Sequence, residues 1–281
     1  MATAVILGAG DLGGATARQL AAIDLVSRII IVDDLANVAA GKALDIAQSG
    51  PIDGYHTAMS GMADIAAVVG AAVIVIADRA TQPAAEWKDE AGLALIKSVS
   101  GLNQRAPIVC AGTAQATLIE RGVNELGVSR LRLFGSAPEA LRSAVVAIVA
   151  LEAGAAPSDI SLSVLGRPDQ IIVPWDEASI SGRTATQVLS AAQLARLDAR
   201  VARLWPLGAY ALAGAATRII RSGLTRTSRV HAALVAVTRD EGVPGGSAMM
   251  PINLNASGIA TIVTPALSAR DRVRFDTALR T

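Results

Sequence analysis

The sequence predicts an α/β protein in which a doubly wound parallel sheet is followed by an α+β region. Three observations support this fold class. Short apolar segments alternate with longer amphipathic segments through the first half of the chain. A glycine-rich turn joins the first apolar segment to the first amphipathic one. After about residue 137 the alternation ends and strand-like segments follow one another, which is typical of an α+β arrangement rather than of continued winding.

The apolar segments of the first half are the predicted strands. They consist largely of Val, Ile and Leu without polar alternation, as expected of strands buried on both faces of a parallel sheet. These strands are predicted at Ala4–Leu7, Arg28–Val32, Ala72–Ala77, Ile108–Ala111 and Leu131–Phe134. Helices are predicted between them at Leu12–Ile23, Val38–Gln48, Glu86–Ser98 and Gln115–Leu126. The alternation indicates right-handed crossovers that cover both faces of the sheet.

The second half has a different order of elements. A helix is predicted at Glu139–Ala153, and a long helical region from Ala191 to about Ser222. Strands are predicted near Ile160–Leu165, Ile171–Val173, Val230–Val237, Ala248–Asn253 and Gly258–Val263, before a terminal helix. We therefore expect two units, residues 1–137 and residues 138–281.

The composition excludes several classes of protein. Hydrophobic residues make up 52% of the 281 residues, aromatic residues 2%, and the formal net charge is +1. A nearly neutral chain without charge runs is not expected to bind nucleic acid. The apolar segments are too short to span a bilayer, so no membrane partner is expected. Cys110 is the single cysteine, which fits a reducing, cytoplasmic compartment, and no metal site is expected because the two histidines and this cysteine lack ligand spacing.

The glycine-rich turn carries the first functional prediction. It has the spacing Gly-x-Gly-x-x-Gly directly after a strand and before a helix, where the backbone can approach a pyrophosphate at the positive helix end. Its predicted cofactor-binding residues are Gly8, Gly10, Asp11, Leu12 and Gly13. Asp33 ends the second strand, where a carboxylate accepts hydrogen bonds from a ribose and repels a 2′-phosphate. Such glycines also mark ordinary turns, but the combination predicts a Rossmann-type domain that binds NAD.

Four further segments resemble the malate/lactate dehydrogenase family, particularly its bacterial malate dehydrogenase branch. They are Gly41–Asp45, Pro51–Gly54, Leu151–Gly154 and, more weakly, Gly208–Ala213. The resemblance extends over nearly the whole chain. It implies hydride transfer between NAD and a small 2-hydroxy acid, and assembly as a homodimer or homotetramer. It also implies that Ala77 and Thr113 line the cofactor site.

The segment that resembles the family's catalytic histidine motif lacks the histidine. It runs from Gly166 to Pro174, and Pro168 stands at the histidine position. Proline cannot accept a proton, and losing a general base typically costs about 10²–10⁴-fold in rate. Asp169 is the most plausible substitute acid or base next to it. The remaining histidines, His56 and His231, are expected to be structural or exposed.

Two residues on the helix after residue 137 resemble the family's substrate-binding pair. Arg142 matches the arginine that binds the substrate carboxylate, and Glu139 replaces an aspartate that orients the histidine. With Pro168 in place, Glu139 is expected to have no imidazole to orient. The alternative for Arg142 is a surface arginine that pairs with Glu139.

The loop that closes over substrate in the family also departs from the pattern. Thr81 and Trp87 stand at the positions of its two arginines, with Arg79 and Lys88 nearby. Asp78 falls near a family glycine beside the cofactor pyrophosphate. A carboxylate there would weaken dinucleotide binding unless a cation such as Arg79 intervened, or it would simply cap the following segment.

Two functional hypotheses follow. The first is a malate/lactate dehydrogenase-like, NAD-binding protein that takes a small carboxylate but turns over malate weakly or not at all. The second is a non-catalytic nucleotide-binding or interaction protein that keeps the fold, or an oxidoreductase with a different substrate.

Overall fold

The computed structural model describes residues 2–81, 85–237 and 246–280. Strands and helices alternate through its first part. In chain order the elements are β1 (Thr3–Leu7), α1 (Asp11–Ala22), β2 (Arg28–Val32), α2 (Ala36–Asp53), β3 (Ala58–Met62), β4 (Val73–Ile76), β5 (Asp78–Arg79), β6 (Ala85–Glu86), α3 (Asp89–Leu102), β7 (Ile108–Cys110), α4 (Ala116–Asn124) and β8 (Leu133–Gly135).

These strands form a parallel sheet in the order β3-β2-β1-β4-β7-β8. The chain leaves β1 toward β2 on one side and later returns to β4 on its other side. This is the order of a doubly wound sheet, whose ligands bind at the carboxyl ends of the strands where the winding reverses. The predicted fold class is confirmed, and the reversal lies between β1 and β4.

The sheet is buried on both faces, as its apolar strands predict. In β4, Ile74 and Ile76 pack into the core on one face, whereas Val73 and Val75 pack into the core on the other. Cys110 in β7 is fully buried, and burial raises the pKa of its thiol, with a smaller contribution from the negative charge of Glu86.

The second part contributes antiparallel strands to the same sheet. Its elements are α5 (Ala137–Ala153), β9 (Ile160–Ser161), β10 (Leu165–Arg167), β11 (Gln170–Ile172), β12 (Ser179–Ile180), β13 (Arg183–Thr184), α6 (Ala185–Val188), α7 (Ala191–Val201), α8 (Ala209–Thr225), β14 (His231–Val237), β15 (Gly246–Asn255), β16 (Gly258–Ile262) and α9 (Ala269–Arg280).

The two parts meet where β14 pairs with β8, at Leu234 and Gly135. From there the sheet continues through β15 to β10 and β11, while β16 pairs on β15. Pairing changes from parallel to antiparallel near residue 137, yet one sheet runs across that point. The division into two domains stays a prediction. Across the described ranges, no helix is long and apolar enough to cross a bilayer.

Several features differ from the sequence-based expectation. The long helical region is two helices, α7 and α8, and the segment between them contains Pro206, which lacks a backbone N–H. The edge strand β3 was not predicted, and neither was the antiparallel pair of β5 and β6. Because Glu86 belongs to β6, α3 begins at Asp89 rather than at Glu86.

Candidate functional site

The glycine-rich turn lies at the carboxyl end of β1, as predicted. Gly8 has a φ of +119°, which L side chains rarely adopt, and Gly10 caps the amino end of α1. A Cβ on Gly13 would collide with the carbonyl oxygen of Gly8. These glycines are therefore required by the tight turn and by the close approach of the helix to the strand end.

Asp78, which follows β4, places its carboxylate on the amino end of α1. Its Oδ1 accepts a hydrogen bond from the amide of Gly13 at 2.8 Å, and its Oδ2 accepts one from Leu12 at 3.1 Å. The amide of Gly10 donates to the Asp78 carbonyl at 2.9 Å. A Cβ on Gly10 would collide with the Asp78 carboxylate. The amides expected to receive a pyrophosphate thus already bind an internal anion.

Asp33 lies beside the glycine-rich turn, where the sequence predicts it. It is 3% exposed. One carboxylate oxygen accepts from the amides of Ala9 at 2.8 Å and Ala80 at 2.9 Å, and the other accepts from Leu35 at 3.0 Å. The predicted ribose-binding carboxylate is therefore bound by the amides of three different loops.

The other predicted cofactor-binding residues have varied settings. Leu12 and Ala77 are buried, whereas Asp11 is exposed in the first turn of α1. Lys42, from the segment that resembles the family, donates from Nζ to the carbonyl oxygen of Gly10 at 2.9 Å. Lys42 therefore braces the turn from α2, a role that the sequence analysis did not assign to it.

Thr113, predicted to face the cofactor, is bound by Glu86. The Glu86 carboxylate accepts from the amides of Thr113 at 2.9 Å and Ala114 at 2.7 Å, and from the Thr113 hydroxyl at 3.2 Å. A Cβ on Gly112 would collide with this carboxylate. Sequence reasoning missed Glu86 because it predicted a helix there, and no local signal distinguishes the short strand.

Arg79 does not intervene between Asp78 and the glycine-rich turn. Its guanidinium lies 4.9 Å from the centre of the Trp87 ring, a cation–π contact. Both the Nε of Arg79 and the Nε1 of Trp87 are buried, and neither has a hydrogen-bond partner among the described residues. The expectation that Arg79 could neutralise Asp78 is therefore not supported by the geometry.

A second cluster of charged residues surrounds Glu139, in the first turn of α5. Glu139 is 1% exposed. Arg142 donates to it with two parallel bonds, from Nη2 at 2.7 Å and from Nε at 3.0 Å. The amide of Ala232 donates at 3.0 Å, and Nη1 of Arg218 lies 3.4 Å away. The pairing of Arg142 with Glu139 is the alternative that the sequence left open.

His231 begins β14 and is structural, as expected, but its position next to Glu139 was not predicted. Its ring is buried beside Glu139, with Nδ1 3.3 Å from Oε1 but poorly aligned for a hydrogen bond. Its Nε2 lies 2.7 Å from the hydroxyl oxygen of Ser222 in α8. The expectation that Glu139 has no imidazole beside it is wrong. The antiparallel pairing of β14 with β8 brings the start of β14 next to α5, and no sequence motif predicts that pairing.

The charge state of Glu139 follows from these contacts. Burial is the largest single influence and raises the pKa of the carboxyl group. His231, Arg142 and the amide of Ala232 together outweigh burial and hold the pKa of Glu139 well below its usual 4.5. Glu139 is therefore an ionised, fully bound carboxylate.

Asp169 lies away from this cluster. It occupies the two-residue turn between β10 and β11, which Pro168 and Asp169 form between the paired residues Arg167 and Gln170. Its side chain is 73% exposed, and its ion-pair partner is Arg167 at 3.9 Å. Among the described residues Asp169 makes no hydrogen bond or ion pair with Glu139 or Arg142, so its predicted catalytic role has no support. His56 is exposed, as expected, 3.5 Å from Asp24.

Two cavities flank the Glu139 cluster. Arg142 and His231 line one of them together with Ser161 and Ser163. Glu139 and Arg218 line the other, between α5 and α8. Within the part of the chain that the structure describes, no group of three or more potential metal ligands is present.

Comparisons with known proteins agree on one kind of relative. No family model matches the chain. The malate dehydrogenase of Thermomicrobium roseum is 28% identical over 283 residues, which cover 95% of this chain and 91% of the relative. That of Thioalkalivibrio sulfidiphilus is 29% identical over 291 residues, which cover 98% and 95%.

Solved structures show the same fold at lower identity. The malate dehydrogenase from Aeropyrum pernix superposes with a TM-score of 0.88 at 17% identity and covers 98% of this chain and 95% of its own. The lactate dehydrogenase from Cryptosporidium parvum, solved with lactic acid and nicotinamide adenine dinucleotide, has a TM-score of 0.85 at 18% identity, with coverages of 99% and 94%.

Proposed function

The chain belongs to the malate/lactate dehydrogenase family, and on that basis we propose that it is a dinucleotide-fold protein with weak or no turnover of malate and lactate. The family reaction is hydride transfer between NAD and a small 2-hydroxy acid. The single observation that carries the proposal is the buried pair of Arg142 with Glu139.

Arg142 is a poor substrate clamp in this setting. A guanidinium recognises a carboxylate best through two parallel N–H···O bonds, and Arg142 makes both to Glu139. A substrate carboxylate that bound the Nε and Nη2 groups of Arg142 would leave Glu139 buried without its closest cation. Breaking a buried ion pair by removing one partner costs about 3–5 kcal/mol. Substrate binding would have to supply that energy before any chemistry began.

The position at which the family motif has its proton-accepting histidine also lacks a group that can accept a proton. Pro168 stands in the turn where the family motif has its histidine, and Asp169 beside it is exposed. Loss of a general base is expected to lower the rate by about 10²–10⁴-fold. Together with the occupied Arg142, this supports negligible oxidation of 2-hydroxy acids.

The proposed cofactor is NAD rather than NADP, because Asp33 would repel a 2′-phosphate. Asp78 holds the amides of Leu12 and Gly13, so the diphosphate of NAD would have to displace this carboxylate before it could bind them. Family membership and the single cysteine are our basis for proposing a small carboxylate ligand, a cytoplasmic location and a homodimer or homotetramer.

A second candidate function is an oxidoreductase with another substrate. The observation that favours it is the imidazole of His231 beside Glu139, since a carboxylate next to a histidine is a common acid–base arrangement. Its Nε2, however, is engaged by Ser222 in the interior. This candidate therefore needs a substrate that enters the cavity lined by Arg142 and His231.

The test is NADH absorbance with oxaloacetate and pyruvate, and NAD⁺ reduction with malate and lactate, beside an active malate dehydrogenase. We expect rates at least about 100-fold below that reference, as for loss of a general base. Rates comparable to the reference with any of the four substrates would overturn the proposal.

The variant H231N separates the second candidate from the first. If a broader set of 2-hydroxy and 2-oxo acids shows turnover that H231N abolishes while the variant keeps its thermal stability, the second candidate is correct. If no acid is turned over although NADH binds, the protein is a non-catalytic nucleotide-binding member of the family.

A further inference from the structure

We propose that Asp78 and Glu86 are built-in competitors of the dinucleotide, whose carboxylates occupy the amide donors that the cofactor would need. The inference rests on the proposed dinucleotide-fold function. It concerns the affinity for the dinucleotide, whereas the proposed function concerns turnover.

The position of the two residues supports competition. The winding of the sheet reverses between β1 and β4, and ligands of such sheets bind at the carboxyl ends of these strands. Asp78 lies two residues beyond the end of β4, and Glu86 is its partner in the antiparallel pair of β5 and β6. The two carboxylates therefore lie across the crevice in which a dinucleotide would bind.

Asp78 occupies the site with the strongest preference for an anion. The amino end of a helix carries a partial positive charge and free amide donors, which is why phosphates bind there. In α1, Leu12 and Gly13 donate to Asp78. A pyrophosphate and this carboxylate cannot share the same donors, and their negative charges repel each other. Binding of one therefore excludes the other.

Glu86 repeats the arrangement at the next loop. It binds the amides of Thr113 and Ala114 at the carboxyl end of β7. Like charges directly opposite each other in an antiparallel pair are normally unfavourable. Here each carboxylate has its own set of backbone donors, which offsets the repulsion and fixes both in place.

A third carboxylate, that of Asp33, also binds the segment that follows β4. Asp33 accepts from the amide of Ala80, two residues after Asp78, as well as from Ala9 in the glycine-rich turn. The segment after β4 is thus held against three loops by Asp33, Asp78 and Glu86. The arrangement is part of the fold rather than a chance surface contact.

The experiment is NADH titration of the full chain by calorimetry and by nicotinamide fluorescence. D78G removes the competing carboxylate, and we expect the Kd for NADH to fall by about tenfold or more, the scale of a partly buried charge at a helix end. D176A removes an exposed aspartate elsewhere and controls for the change in net charge. E86Q should produce a smaller fall in Kd.

D78G also removes a helix cap, so D78N, which keeps the shape and one acceptor oxygen, is measured with it. If D78G does not fold, D78N should still bind NADH several-fold more tightly than the natural chain. The proposal is overturned if D78G and D78N, shown by thermal melting to be folded, bind NADH no more tightly than D176A. Malate turnover by the unaltered chain would overturn the proposed function but would leave this comparison of affinities unaffected.

Discussion

At position 139 a glutamate stands where the family resemblance implies an aspartate, and its longer side chain reaches partners from three elements. Arg142 lies on the same helix, Ala232 and His231 come from β14, and Arg218 comes from α8. A carboxylate that is 1% exposed remains ionised only because these groups replace the lost water. Glu139 in turn occupies the two N–H groups of Arg142 that would otherwise bind another carboxylate.

Removing this charge should destabilise the protein. For E139Q we expect a loss of roughly 3 kcal/mol in the free energy of unfolding at pH 7, because Arg142 is left without its buried partner. Urea denaturation measures the loss, and E177Q, at an exposed glutamate, is the matched control.

The loss should depend on pH in a defined direction. The pKa of Glu139 is lowered in the folded state, so its contribution is full above about 4.5 and is lost as the pH falls through the lowered value. The stabilities of E139Q and the natural chain should therefore converge on acidification from pH 5 downward. A difference that stays constant over this range would contradict the assignment.

Restoring the missing histidine should not restore activity. P168H places an imidazole in the turn between β10 and β11, but Arg142 would still be bound to Glu139. We expect malate turnover to increase far less than the roughly 10²–10⁴-fold that a general base contributes. The variant P168A controls for the change in the backbone of the turn. A gain within that range for P168H alone would show that Arg142 is available to substrate.

At the scale of elements, hydrophobic pattern predicts the buried strands well and the edge elements poorly. The central strands β1, β2, β4 and β7 are runs of apolar residues, so their burial can be predicted from the sequence. The edge strand β3 has the sequence Ala-Met-Ser-Gly-Met and is only partly buried, so it lacks that signal. The pair of β5 and β6 consists of two-residue strands, which are too short for any periodicity.

The packing of α2 on β3 depends on Gly61. A Cβ at this position would collide with the backbone carbonyl of Ala39 in α2. We expect G61A to destabilise the protein by about 1–3 kcal/mol, since the helix must shift. A Cβ on Gly41, in α2 itself, would meet no atom of the described residues within 4 Å, so G41A should instead stabilise the protein by about 0.5–1 kcal/mol. Thermal melting of both variants tests this, and a stable G61A would show that the helix is not held so closely.

At the scale of the whole molecule, the sequence predicts where the glycine-rich turn and Asp33 meet, but not which groups bind the carboxylates around them. Gly8, Gly10, Gly13 and Asp33 come together as predicted, because strand order alone brings the ends of β1 and β2 to one edge. Asp78 and Glu86 bind backbone amides of distant loops, and Glu139 binds groups from β14 and α8 in addition to Arg142 on its own helix. Those contacts depend on loop conformation and on the register of β14, which no local pattern specifies.

The tether of Asp78 to the end of β4 has a consequence for how much dinucleotide the cleft would require. A group attached to the same chain meets its receptor at a fixed effective concentration, on the order of millimolar for short flexible tethers. A free dinucleotide must exceed that value, or gain enough affinity through its other contacts, before it displaces the aspartate. The tethered carboxylate would raise the apparent Kd without changing the hyperbolic form of the binding curve, so well below that Kd the occupancy would rise in proportion to the dinucleotide concentration.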